Sequence, residues 1–144
     1  MGFHNLYGLE LQEYAICRSP TRSLGIQIIQ GSALNIPASD SSFDLVFTSG
    51  VLIHIKPSDL AIALEEIHRC TRNFIWGFEY YSDVTTEIDY RGKQNLLWKG
   101  DFTKLYTLAF RDLTVAREER FKYLSSNNVD VMFLLRRTRE ELCK

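Results

Sequence analysis

The sequence predicts a doubly wound α/β domain. Two observations carry that expectation. Strand-like apolar runs alternate with helical patterns along the chain, in the order strand, helix, strand, loop, strand, helix, strand, helix, hairpin. Within Ile26 to Ile55, two runs also share one character. Ile26, Ile28 and Ile29 precede Gly31-Ser32-Ala33, and Leu45, Val46 and Phe47 precede Thr48-Ser49-Gly50. Short β-branched or aromatic runs that end on small residues read as buried strands of a parallel sheet. Ligands of open α/β sheets bind outside the carboxyl ends of such strands. This stretch is therefore the expected crevice, which the rest of the chain supports or closes.

Each element has its own local reason. Asn5 to Leu11 is strand-like, with Leu6, Leu9 and Leu11 as its apolar content and Glu10 near its end. Gln12 to Arg18 predicts a short helix that packs through Tyr14, Ala15 and Ile16 and stops at Ser19-Pro20. Ile26 to Gln30 is the next strand. The Ile36-Pro37 pair keeps Gly31 to Ser42 irregular, and Phe43 to Ser49 is the strand after it. Pro57 suits a first helical position. Leu60, Leu64, Ile67 and Thr71, with Ala63 beside them, then recur on one helical face. Asp59 near the start and Arg69 near the end of that helix suit its dipole. Asn73 to Glu79 predicts a strand and Asp101 to Phe110 a helix, with the long polar-aromatic segment Ser82 to Lys99 between them. A loop of that length is usually functional or mobile. Leu113 to Tyr123 fits an exposed helix through its REER run or a strand through its two ends. Asp130 to Arg137 is a strand. The Ser125-Ser126-Asn127-Asn128 turn before it favours a terminal antiparallel hairpin.

Bulk properties narrow the function classes. The 144 residues, 45% of them hydrophobic, suit one domain with a real core. A net charge of -1 makes no electrostatic case for nucleic acid or a membrane surface. No run reaches the roughly 18 apolar residues of a membrane span. The first residues lack the basic and apolar regions of a signal peptide, and Leu6 stands where a myristoylation site wants Ser or Thr. Cys17, Cys70 and Cys143 have no metal or redox spacing and read as reduced thiols of a cytoplasmic protein. No spacing supports a metal site. The oligomeric state is not legible.

The segments GLELQEYA, QGSALNIPASDSSFDLVFTSGVLIHI, EIHRC, EYY and EIDYRG together resemble a class I S-adenosylmethionine-dependent methyltransferase. More closely, they are similar to the methylases associated with pseudaminic acid biosynthesis. The resemblance covers nearly the whole chain, and FDLVFTSGVLIHI with EYY and EIDYRG are its specific parts. It implies a partial, Rossmann-like methyltransferase sheet, mostly parallel, with the antiparallel hairpin at its end. It also implies a single but incomplete domain over residues 1–144. The family's first strand and its Gly-rich turn have no counterpart here, so the expectation is an N-terminally truncated chain. That strand belongs in the middle of the sheet. Without it, either the sheet has a gap or strands pair that normally do not touch.

The resemblance also assigns candidate residues. Glu10 would accept hydrogen bonds from the cofactor's ribose hydroxyls, or is a solvated loop carboxylate. Ser32 stands where the family often has an acid at the adenine amino group. Ala33 follows it, and Leu34 can pack on the adenine face, or the three form an ordinary turn. Ser49 and Gly50, within the small stretch Thr48 to Val51, let backbone approach the sulfonium end. That stretch is not the Asp/Asn-Pro-Pro-aromatic motif of enzymes that methylate exocyclic nitrogens of nucleic acids. His54 follows the central strand and could orient or deprotonate a nucleophile, since imidazole titrates near neutrality. It could equally line the pocket. His68 reads as a partly exposed surface residue, and His4 has no context. Glu79, Tyr80 and Tyr81 end a strand and are expected to point at the crevice, with Glu79 a second possible proton acceptor. Asp89, Tyr90 and Arg91 lie on the long loop. Tyr80, Tyr81, Tyr90 and Arg91 could hold a polar, sugar-like acceptor, Arg91 taking a carboxylate in its fork.

Two functions follow from this reading. The first is an S-adenosylmethionine-dependent methyltransferase acting on a small polar or sugar-like substrate. The second is an inactive remnant or interaction module that cannot bind cofactor alone. A flavodoxin-like binding domain fits the alternation of elements but not the motifs.

Overall fold

The computed structural model describes residues 5–19 and 24–138. His4 and Cys143 lie outside them. Strand β1 (Tyr7–Glu10) and strand β2 (Gln27–Gln30) pair in parallel, with Tyr7 opposite Gln27 and Glu10 opposite Gln30. Helix α1 (Glu13–Arg18) lies between them in sequence and buries Ile16, while Tyr14 stays exposed. It ends at Ser19, whose extended backbone suits a residue before proline.

Strand β3 (Phe43–Ser49) opens a second sheet and pairs in parallel with β4 (Thr71–Tyr80). Between them run a 3-10 turn, Leu52–His54, and helix α2 (Pro57–Cys70) with Pro57 in its first turn. The predicted face of α2 is the buried one: Leu60, Ala63, Leu64 and Ile67 all point inward. The segment 82–99, expected to be irregular, carries a small antiparallel ladder of β5 (Thr86–Glu87) and β6 (Trp98–Lys99). Helix α3 (Phe102–Ala109) follows, capped by Asp101, whose carboxylate accepts the Lys104 backbone N–H at 2.9 Å. The ambiguous segment is strand β7 (Leu113–Lys122), which pairs antiparallel with β8 (Val129–Arg137). The terminal hairpin is thus present, and β8 also pairs antiparallel with β4.

The strand order is β3-β4-β8-β7, with β1-β2 and β5-β6 as separate two-stranded sheets. This corrects the mostly parallel expectation. The main sheet is mixed, one parallel pair beside two antiparallel ones, because β8 lies directly against β4. Among the described residues, no ladder joins the β1–β2 pair to β3, which leaves a gap between them. Among the described residues, β1 and β3 are edge strands of different sheets. They meet at their amino ends, where the rings of Tyr7 and Phe43 stand 5.5 Å apart.

The core lies on one side of the main sheet. Leu60, Leu64 and Ile67 of α2 and Phe102 and Tyr106 of α3 pack on Ile75, Val131, Phe133 and Leu135. The expectation that β3 is buried on both faces is not met: Leu45 and Phe47 are 47% and 62% exposed. His68 is partly exposed, as expected, but it is also partnered. It stacks on Phe110 at 4.1 Å, and its Nε2 lies 2.9 Å from Asp112. Arg137 holds the same carboxylate at 2.7 Å.

Candidate functional site

The carboxyl ends of β1 to β4 present two groups of candidate residues. The first sits on the β1–β2 pair. The Gly31 N–H donates to the Glu10 carbonyl at 3.0 Å, so the turn after β2 is tied to the end of β1. One oxygen of the Glu10 carboxylate accepts the Gln12 N–H at 2.9 Å, which fixes the side chain at the strand end. Ser32 Oγ accepts the Leu34 N–H at 3.1 Å, and Asn35 N–H reaches the Ser32 carbonyl at 3.0 Å. Ser32, Ala33 and Leu34 therefore form one compact turn beside Glu10, with Leu34 on the outside. A cleft of about 340 Å³ borders Glu10, between Gly8, Leu9 and Ile28 on the strands and Ala15, Ile16 and Arg18 on α1.

The second group sits where β3 ends against β4. Gly50 has φ +63°, a conformation that favours glycine, and its N–H donates to the Phe78 carbonyl at 2.9 Å. A Cβ at Gly50 would touch only Ile53 Cδ1, at 4.0 Å. The backbone at Ser49-Gly50 is thus open to close approach by a ligand.

His54 ends the 3-10 turn. Its Nδ1 lies 2.7 Å from the Leu96 carbonyl oxygen. A carbonyl only accepts, so Nδ1 donates to it, and Nε2 has no hydrogen-bond partner among the described residues. The Tyr90 ring packs edge-on against His54 at 5.5 Å. Tyr90 opens a two-residue turn closed by mutual Tyr90–Lys93 backbone bonds of 3.0 and 3.1 Å. Arg91 and Gly92 both have positive φ, +55° and +74°, the type I′ pattern that favours Gly. The Arg-Gly pair in EIDYRG is thus turn chemistry that delivers Tyr90 to His54. Arg91 lies over the Tyr90 ring at 5.2 Å, and Asp89 accepts the Gly92 N–H at 2.8 Å.

Glu79 is buried rather than open to the crevice, contrary to the expectation that it points there with Tyr80 and Tyr81. The residue is 1% exposed. Its two carboxylate oxygens accept the N–H groups of Val51 at 3.2 Å and Ile53 at 3.4 Å. Burial pushes the Glu79 carboxyl above the usual carboxylate range, against the pull of these backbone donors. Its position holds the turn that carries His54. Tyr80 and Tyr81 stay partly accessible. Lys99 Nζ lies 5.7 Å over Tyr80, and Arg120 lies 3.8 Å over Tyr81.

Sequence reasoning missed Glu66 and Arg69. Arg69 donates to Glu66, to Asp40 and to the carbonyls of Ile36 and Ala38, all within 3.0 Å. Glu66 in turn accepts the Ile36 N–H at 2.7 Å. Together they pin the 31–42 loop to α2. Their i, i+3 spacing was a signal for a pair, but not for the loop it would hold. The structure therefore joins Glu10 to Ser32–Leu34, and Gly50 to His54, Tyr90 and Arg91. Among the described residues, no strand hydrogen bonds connect the two groups across the β1–β3 gap.

An open α/β sheet with a crevice at its carboxyl ends, an acid after β1 and a glycine turn after β3 defines a Rossmann-like ligand-binding domain. The chain belongs to the methyltransferase domain family, whose model matches residues 1–73. No curated protein matches it. Among solved structures, it is similar to a SAM-dependent methyltransferase from Methanosarcina mazei, at 11% identity and a TM-score of 0.74. That match covers 94% of this chain and 83% of the other. It is also similar to the Burkholderia thailandensis 1,6-didemethyltoxoflavin-N1-methyltransferase, solved with 1,6-didemethyltoxoflavin and S-adenosylhomocysteine, at 16% identity and a TM-score of 0.72. There it covers 94% of this chain but only 62% of that one. A third similar structure is the [4+2]-cyclase SpnF, at 12% identity and a TM-score of 0.68, covering 93% and 66%. Family and fold point to S-adenosylmethionine as the cofactor.

Proposed function

We propose that this chain is a methyltransferase that moves a methyl group from S-adenosylmethionine to a hydroxyl or amine on a small polar, sugar-like acceptor. The observation that supports it most is His54. It stands just past the β3 end, with Nδ1 committed to a carbonyl and Nε2 without a partner among the described residues. The residues present fit part of the cofactor. The Glu10 carboxylate would take the ribose hydroxyls. The Ser32 hydroxyl, which accepts from Leu34 N–H, has a second lone pair with which to accept from the adenine amino group, and Leu34 offers an apolar face. Ser49 and Gly50 leave room for the sulfonium end.

When bound, the cofactor supplies an electrophilic methyl on sulfur. His54 Nε2 would accept the proton that the acceptor's O–H or N–H gives up as its new bond to the methyl carbon forms and the carbon–sulfur bond breaks, with S-adenosylhomocysteine as the leaving group. Most of the acceleration comes from holding the two reactants in line. Glu79 contributes by fixing the Val51–Ile53 backbone beneath His54. Tyr80, Tyr81 and Tyr90 give the acceptor flat faces, and Arg91 offers a fork for a carboxylate. The likeness to the pseudaminic acid methylases favours a carboxylated sugar.

A second reading is favoured by the β1–β3 gap. In it, the two half-sites are completed by a strand and Gly-rich turn supplied from outside these residues, and the chain alone binds no cofactor. Titration calorimetry with S-adenosylmethionine decides between them. Saturable heat that Glu10→Ala weakens at least tenfold supports the enzyme. An absence of heat at millimolar cofactor sinks it for this chain and leaves the second reading.

A further inference from the structure

Three stretches of chain meet at the carboxyl end of β4. The Tyr81 N–H donates to the Val129 carbonyl at 2.8 Å, which ties the start of β8 there. The Gly100 N–H reaches the Tyr80 carbonyl at 3.4 Å, which ties in the end of β6. β6 also touches the Leu52–His54 turn. Lys99, the last residue of β6, stands at this junction and is half-buried. Its ammonium lies 5.7 Å over the Tyr80 ring and donates to the side-chain carbonyl of Asn128.

An ammonium has three donors and a full charge. Asn128 takes one donor, and the Tyr80 face attracts the charge without accepting a hydrogen bond in the ring plane. Among the described residues, Lys99 has no carboxylate in ion-pair contact. The acids around it are engaged elsewhere. Asp83 accepts the Tyr81 hydroxyl, Asp101 caps α3, and Glu87 accepts the Asn95 N–H. Asp130, 7% exposed, is turned to Tyr123. Arg69, Arg72 and Arg137, by contrast, each hold a carboxylate. Taking a charge partly out of water without a counter-charge is costly, so an arriving anion relieves a cost that the fold already carries.

Lys99 also lies near the reacting end of the crevice. Leu96, whose carbonyl oxygen stands 2.7 Å from His54 Nδ1, is three residues before it. Three residues span at most about 11 Å of backbone, a gap that two side chains and one sugar ring can bridge.

We propose that Lys99 is a specificity-determining residue, whose ammonium seats a carboxylate of the acceptor while His54 meets the group to be methylated. This rests on the methyltransferase reading of the crevice and adds to it the charge of the acceptor and the cation that selects it. Arg91 sits exposed on the tip of its turn; Lys99 is fixed within the wall. A neutral acceptor leaves Lys99 unpaired, which discriminates against it.

NMR titration of the intact chain without cofactor tests this. The probes are glucuronate and N-acetylneuraminate, each against a neutral form, glucuronamide and the N-acetylneuraminic acid methyl ester. At least one acid is expected to bind about tenfold or more tightly than its neutral form, with the Lys99 side-chain signals moving. Lys99→Met is expected to abolish that preference and Lys99→Arg to retain it. If Lys99→Met fails to fold, Asn128→Asp takes its place, since it gives Lys99 a carboxylate of the protein and is expected to cause the same loss. Lys104→Met, which removes an equal charge at an exposed position of α3, is expected to keep the preference. No binding of either acid at about 20 mM, equal affinity for acid and neutral form, or a preference that survives the loss of Lys99 overturns the proposal. Cofactor heat alongside any of those results leaves methyl transfer standing without the Lys99 subsite. A Lys99-dependent acid preference without cofactor heat keeps the subsite and removes the methyl-transfer reading.

Discussion

Burial decides what several side chains can do. Tyr106 is fully buried, and its hydroxyl has no hydrogen-bond partner. Burial, and then the nearby Glu79 charge, push that hydroxyl far above the usual tyrosine range. An unpaired buried hydroxyl costs about 1–3 kcal/mol. Tyr106→Phe, which keeps the ring, is therefore expected to be neutral or to stabilise by about 1 kcal/mol in urea denaturation. Gly77 behaves oppositely. A Cβ there would lie 2.1 Å from the Phe133 ring, with no flexible end to move. Gly77→Ala is expected to destabilise by about 2 kcal/mol or more, and unchanged stability would contradict this packing.

His68 gives a pH dependence at the same scale. Burial holds its imidazole below the ordinary 6.5, although the Asp112 carboxylate pulls the other way. Below about 6.5 the unfolded chain takes up a proton that folded His68 resists. The stability this residue contributes is thus full above 6.5 and declines as pH falls toward the lowered folded value. An NMR titration of the His68 ring is expected to place its midpoint below 6.5, and Asp112→Asn to move it lower still. A midpoint above 6.5 would contradict the burial argument.

Elements place the candidate residues. The 31–42 loop has no regular structure of its own and is held by Arg69 and Glu66 on α2. The Arg69 guanidinium, bonded to Glu66, keeps that carboxyl below its ordinary range despite the opposing effect of burial. Arg69→Ala removes these bonds at once. Limited proteolysis of the variant is expected to cut within 36–42 several times faster than in the parent, with α2 intact by circular dichroism. The 90–93 turn is the other positioning device. Gly92→Ala, at φ +74° and with no crowding, is expected to cost about 1 kcal/mol of backbone strain and to loosen Tyr90 from His54. The His54 ring proton signals would report that loosening.

Among the described residues, the β1–β2 pair is a piece of sheet separate from the four-stranded sheet and the small β5–β6 ladder. The β1–β2 pair reaches the rest through the Tyr7–Phe43 ring contact and the pinned loop. The half-site around Glu10 and Ser32 therefore sits on a smaller and less supported unit than the half-site around Gly50 and His54. Native-state hydrogen exchange is expected to show lower protection in β1 and β2 than in β4 and β8. Equal protection across both sheets would mean that the gap is closed in solution.

Much of this was legible in the sequence, for local reasons. Pro57 and the Leu60–Leu64–Ile67 face mark α2, the Ser125–Asn128 turn marks the hairpin, and small residues end β2 and β3. The candidate residues came from the family resemblance laid on those strand ends. Other features were not local. Leu113 to Tyr123 carries both a helical and a strand pattern, and only the ladder offered by β8 made it a strand. Glu79 alternates with Tyr80, and nothing in that spacing says which one faces the core; the amide groups of Val51 and Ile53, 28 and 26 residues away, decide it. Leu45 and Phe47 read as buried because they are apolar, yet exposure depends on what lies across β3 and below it. By itself, the sequence determined the elements, because propensity, capping and periodicity act within a few residues, and the family was legible in it only as a resemblance of motifs. Only the tertiary structure decided the mixed sheet, the β1–β3 gap and the exposure of Leu45 and Phe47, because pairing and burial depend on groups far apart in the chain.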